Sequence, residues 1–171
     1  MGDKTQLLAL VLATRFRQRL PIVLGILAAT LANHLLAGSI GSWLATQVSP
    51  AVLRWAVGLS FVGFGLWTLK PDTLEEDRPL PKAGVFLTTL VSFFLIEMGD
   101  KTQLATVALA ARFGTLLPVV AGTTLGMMIA DVPAVWLGDR LSRRLNLKYL
   151  RWAAAALFVV LGLLTLAPQL R

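Results

Sequence analysis

Seven consecutive residues, Glu97-Met98-Gly99-Asp100-Lys101-Thr102-Gln103, hold most of the reactive chemistry in this sequence. Glu97 and Asp100 stand at i and i+3, so a continuous helix would carry both carboxylates on one face. Thr102 adds a hydroxyl and Gln103, at i+6 from Glu97, an amide. Gly99 supplies the freedom to unwind a turn and release backbone carbonyls. Carboxylates, hydroxyl, amide and carbonyls make an all-oxygen set, which suits hard divalent cations such as Mn²⁺, Ca²⁺ or Mg²⁺. Softer ions favour clusters of Cys and His. The chain has no cysteine and one histidine, which excludes disulfides, thiolate metal sites and thiol redox chemistry.

The same residues occur twice. Residues Met1-Gly2-Asp3-Lys4-Thr5-Gln6-Leu7 are identical to Met98-Gly99-Asp100-Lys101-Thr102-Gln103-Leu104, an offset of 97 residues (98 − 1). Without a gap, the match continues at Arg15-Phe16/Arg112-Phe113, Leu20-Pro21/Leu117-Pro118 and Leu53-Arg54-Trp55-Ala56/Leu150-Arg151-Trp152-Ala153. Such self-similarity marks an internal repeat. The first copy therefore adds Asp3, Thr5 and Gln6 to the candidate metal ligands Glu97, Asp100, Thr102 and Gln103. Lys4 and Lys101 would pair with carboxylates when no metal is bound, or end a half-helix at the interface. A buried ion-pair cluster that only pins two helices together is the competing reading. The offset also sets Asn33-His34 on Ala130-Asp131, inside apolar runs. His34 reads as a further ligand, a proton carrier or an interhelical hydrogen-bonding group. Asp131, with Pro133 beside it, is a second candidate proton site, because a charge at membrane depth is costly. Met127-Met128 reads as core or lipid contact, since adjacent residues do not share a helical face.

The elements that position these groups follow from composition. Of the 171 residues, 56% are hydrophobic and 15% charged, with a mean hydropathy of +0.73. Several apolar runs are about 20 residues long, enough to cross a hydrocarbon layer ~30 Å thick as a helix. The expected fold is all-α, a polytopic membrane protein of two inverted three-helix repeats. Residues 1–71 form the first repeat, 72–82 a cytoplasmic linker and 83–171 the second. Its spans are Ala83 to Arg112, Leu116 to Leu137 and Tyr149 to Leu170. In the first repeat, Thr5 to Thr14 is a remnant, followed by Leu20 to Thr46 and Ala51 to Leu69. By comparison with the second copy, about fourteen apolar residues and a partner of Glu97 would precede Met1, so the chain is expected to begin inside its first membrane segment. Gly122-x-x-x-Gly126 suggests a close helix contact, and Trp43, Trp55, Trp67, Trp136 and Trp152 suggest interfacial anchors.

The net charge of +7 does not point to nucleic acid. Eleven basic residues lie in the loops after the first, third and fifth helices (Arg15, Arg17, Arg19, Lys70, Arg78, Lys82, Arg140, Arg143, Arg144, Lys148, Arg151). Three lie on the other side (Arg54, Arg112, Arg171). This asymmetry places the linker in the cytoplasm and the C-terminus outside a bacterial inner membrane. It also makes the two copies opposite in orientation, as in secondary transporters whose sites lie at the midplane. No nucleophile with a matching base and no phosphate loop after a strand appears, so no enzyme is expected.

The hexapeptide Glu97-Met98-Gly99-Asp100-Lys101-Thr102 resembles the E-x-G-D-[KR]-[TS] signature of small six-helix cation/proton exchangers. That group includes Golgi manganese and calcium transporters and bacterial manganese exporters. The resemblance implies exchange of Mn²⁺ or Ca²⁺ for protons, with Glu97, Asp100 and Thr102 matching the second motif and Asp3 and Thr5 the first. The first motif lacks its glutamate and the half-helix before it. The expected function is Mn²⁺ export by cation/proton antiport. A Ca²⁺/proton exchanger, a small-solute exporter of the amino-acid type and a non-transporting membrane scaffold are the alternatives. The expected substrates are the cation and protons, in a lipid bilayer, with no resident cofactor.

Overall fold

The computed structural model describes residues 4–70, 83–137 and 147–167. Among these residues the structure is all-helical: α1 (Lys4–Phe16), α2 (Arg19–Gln47), α3 (Pro50–Leu69), α4 (Val85–Glu97), α5 (Lys101–Phe113), α6 (Leu116–Leu137) and α7 (Leu147–Leu166). Three of them, α2, α3 and α6, are long and apolar enough to cross a bilayer. Polarity is distributed in reverse of a water-soluble fold. Leu20, Leu66, Leu117 and Ile129 lie on the surface, whereas Thr30, Asn33, His34, Glu97 and Asp131 are fully buried. Apolar groups outside and polar groups inside are what a bilayer demands. The five tryptophans all have exposed side chains. The linker and its acidic triplet Glu75-Glu76-Asp77 lie outside the described residues.

The segment expected as one span from Ala83 to Arg112 is two helices, with a break at Met98-Gly99-Asp100. Gly99 adopts φ +79°, a left-handed conformation that side chains with a Cβ rarely take. Asp100 then turns back to extended backbone as the residue before α5. The freed amides find local partners. Asp100 N–H donates to the Glu97 carbonyl at 3.0 Å, and Gly99 N–H donates to Gln103 Oε1 at 2.7 Å. The break therefore leaves these donors satisfied.

Helix α2 positions everything else. Its 29 residues run unbroken beside α4 and then α5, and it also packs on α1 and α6. Glycines allow the close approach: a Cβ at Gly25 would stand 2.7 Å from Thr89 Cβ, and one at Gly41 would collide with the Val107 carbonyl. Gly122 and Gly126, expected to make such a contact, face open space instead, with no atom within 4 Å of an added Cβ. They lie on the outward side of α6, where a small side chain has no neighbour to approach.

Helix boundaries recur at the offset of the repeat: Lys4/Lys101 and Phe16/Phe113, and Pro50/Leu147 and Leu69/Leu166. Contacts recur with the halves exchanged. A Cβ on Gly65 would meet Val159 and the Ala155 carbonyl, while one on Gly162 would meet Val62 and the Gly58 carbonyl. Phe61 and Phe158, also 97 apart, stack on each other with centroids 6.1 Å apart.

Candidate cation site

The break between α4 and α5 faces the middle of α2. On that helix Thr30, Asn33 and His34 stand at i, i+3 and i+4, a spacing that sets all three on one face. Glu97, the last residue of α4, projects into them and is fully buried. Its Oε2 accepts from Asn33 Nδ2 at 3.3 Å and from Thr30 Oγ1 at 3.5 Å. Asn33 Nδ2 also donates to the Phe94 carbonyl at 3.1 Å. The Asn33 Oδ1 accepts from Gln103 Nε2 at 3.4 Å, so Gln103 ties the first turn of α5 to α2 and to the Gly99 amide at once.

The second carboxylate oxygen has a different neighbour. Glu97 Oε1 lies 3.2 Å from His34 Nε2, both side chains wholly inaccessible. The pair meets the distance of an ion pair but not the geometry of a hydrogen bond, and neither atom has another hydrogen-bond partner. The other ring nitrogen, Nδ1, lies 3.3 Å from Thr124 Oγ1 on α6. His34 thus links α2, α4 and α6 at one point.

Glu97 and Asp100 do not share a helical face, because the i, i+3 relation holds only where the helix is continuous. Asp100, nearly buried, accepts from Thr102 Oγ1 at 3.3 Å. Lys101 extends away from this cluster to the Lys70 carbonyl at 3.5 Å and over the Trp67 ring at 5.7 Å. From the first motif, Asp3 lies outside the described residues. Lys4 opens α1, half-buried. Thr5 Oγ1 is 4.0 Å from Met127 Sδ, and Gln6 Nε2 donates to the Ala130 carbonyl at 3.0 Å. These two residues therefore turn to α6 and do not bond Glu97. Asp131 is buried on the same helix. Among the described residues no three His, Asp or Glu side chains converge on one point. The densest constellation is a carboxylate and an imidazole completed by an amide, a hydroxyl and a second amide. Thr30 and Thr124 escaped the reading of the motifs. Thr30 was legible from its i, i+3, i+4 spacing with Asn33 and His34, but Thr124 had no local signal.

A carboxylate locked in the interior of an apolar helical bundle, at the break of a helix, is the arrangement of a membrane transporter site. The sequence matches the profile of the GDT1 divalent cation/proton antiporters over residues 1–76 and 85–171. The chain belongs to this family of membrane antiporters. It is 42% identical over 166 residues to a Vibrio cholerae protein whose name proposes it as a manganese exporter, covering 96% of this chain and 83% of the relative. It is 30% identical to a GDT1-like protein of Synechocystis, over 96% of this chain and 89% of that one. A GDT1-like protein of Arabidopsis thaliana is 25% identical over 97% of this chain and 89% of its own length. No solved structure matches the chain.

Proposed function

We propose that this chain exports Mn²⁺ in exchange for protons, through a site at the α4–α5 break with Glu97 at its centre. The observation that carries the reading is the full burial of Glu97 in a cage of uncharged donors, Asn33 and Thr30, with His34 opposite. A carboxylate so placed is neutralised either by a proton or by a cation, and a group that holds one or the other, never both, couples their fluxes. Family membership and the name of the Vibrio relative support a divalent cation and, within that class, manganese.

In this reading the cation enters from the cytoplasm and displaces protons from Glu97 and Asp100. Thr102, Gln103, Asp3, Thr5 and Gln6 complete or border its path, and Asp131 takes part in proton movement. The two three-helix repeats then rock against each other and the cation leaves outside. The recurrence of helix boundaries and of the Gly65/Gly162 contacts at an offset of 97 supports two inverted halves about a pseudo-two-fold axis between α3 and α7. The eleven-to-three distribution of basic residues supports a cytoplasmic linker.

The test is a flux assay in proteoliposomes. Inward Mn²⁺ gradients should drive outward proton movement with the native chain, and Glu97→Gln or Asp100→Asn should abolish it. Metal-driven proton flux retained in both variants would overturn the site.

A further inference from the structure

The motif residues expected as ligands offer only oxygen, yet the buried Glu97 faces a nitrogen. We propose that His34 is a direct ligand of the transported cation through Nε2, and that this single imidazole selects Mn²⁺ over Ca²⁺. The inference rests on the antiport reading above and adds the residue that sets specificity.

Three observations carry it. First, His34 Nε2 and Glu97 Oε1 converge at 3.2 Å, fully buried, and neither has a hydrogen-bond partner. With the proton on Nδ1 both atoms present lone pairs, and a cation or a proton between them relieves their repulsion. Ligand atoms at neighbouring corners of an octahedral ion with bonds of about 2.1 Å stand about 3 Å apart, so the pair already has the edge length of such a site. Second, the ring is held from behind. Thr124 Oγ1, 3.3 Å from Nδ1 and buried, is placed to accept an Nδ1–H, the tautomer that leaves Nε2 as the metal-facing atom. This is the usual outer support of a metal-bound histidine. Third, the other Glu97 oxygen is restrained by Asn33 and Thr30, which aims Oε1 at the ring.

The chemistry then discriminates. Ca²⁺ takes six to eight oxygens at about 2.3–2.6 Å and gains little from imidazole. Mn²⁺ accepts oxygen ligands and, as a transition ion, also bonds nitrogen. One imidazole among oxygens falls short of the His and Cys clusters that softer ions favour.

His34 is the only histidine in the chain, so a nitrogen bonded to the metal has one imidazole source. Tag-free protein in detergent, loaded with Mn²⁺ alone, should show ¹⁴N modulation in its electron spin echo, lost in His34→Gln. In proteoliposomes, His34→Gln should raise the Mn²⁺ concentration for half-maximal flux by about tenfold or more while leaving inhibition by Ca²⁺ unchanged or stronger. Thr124→Val, which removes only the support of the ring, should move the same ratio in the same direction by a smaller factor. Mn²⁺ bound without nitrogen modulation, or an unaltered Mn²⁺/Ca²⁺ ratio in a folded His34→Gln protein, overturns the assignment of His34. Native chain that neither binds nor moves Mn²⁺ would instead overturn the antiport reading on which it rests.

Discussion

Gln6 and Gln103, 97 residues apart, make equivalent bridges to equivalent places: Gln103 Nε2 donates to Asn33 Oδ1, and Gln6 Nε2 to the carbonyl of Ala130, the residue 97 positions after Asn33. Each glutamine ties the first turn of a short helix to the middle of a longer one. The difference lies in what the bridge touches. The Gln103 bridge continues through Asn33 to Glu97, whereas the Gln6 bridge ends on backbone.

That difference predicts unequal effects. Gln103→Leu should lower metal-driven proton flux severalfold, because it removes the partner of Asn33 and leaves the Gly99 amide without its acceptor, at a cost of about 1–3 kcal/mol. Gln6→Leu should cost less in flux. Because the two bridges share no residue, the double variant should be additive to within about 0.5 kcal/mol in a thermal unfolding series. Equal losses of flux would show that the bridges do not differ in function.

Gly99→Ala tests the break itself. No atom lies within 4 Å of an added Cβ, so only the backbone conformation at φ +79° resists the change. A cost of about 1–2 kcal/mol is expected, read as a lower unfolding temperature in detergent. Gly99→Asn should cost less, since asparagine enters this region more readily. The reverse order would mean that space, not dihedral angle, governs the position.

Packing of α2 is the next prediction. Gly25→Ala sets a methyl 2.7 Å from Thr89 Cβ and 2.9 Å from the Phe86 carbonyl. Overpacking of that kind costs about 1–3 kcal/mol and shifts α2 relative to α4, so transport should fall along with stability. Gly122→Ala and Gly126→Ala, facing open space, should leave both within error. Destabilisation by Gly126→Ala would mark α6 as a contact surface.

Sidedness is directly measurable, because the chain contains no cysteine. With a cytoplasmic linker, Thr115→Cys, at the exposed junction of α5 and α6, should react with a membrane-impermeant maleimide added outside intact cells. Arg17→Cys, between α1 and α2, should react only after permeabilisation. Both positions are exposed. The opposite pattern would invert the orientation.

Much of this protein is legible without coordinates. Composition and run lengths imply a membrane protein, the run of seven identical residues exposes the duplication, and the hexapeptide around Gly99 marks the break and carries the family resemblance. These are properties of local order and of solvent. A bilayer rewards apolar runs whatever their neighbours, and a glycine among charged residues weakens a helix wherever it packs. The partners of Glu97 are another matter. Asn33 lies 64 residues away and Thr30 lies 67 residues away. Their meeting depends on which face of α2 turns to α4 and α5, set by close approaches of Gly25 to α4 and of Gly41 to α5 that no spacing within one helix encodes. The same packing brings His34, whose role stood open in the sequence, to the carboxylate, and shows the glycines of α6 to be outward-facing. Periodicity can say which residues share a face; only the crossing of helices distant in sequence decides what that face meets.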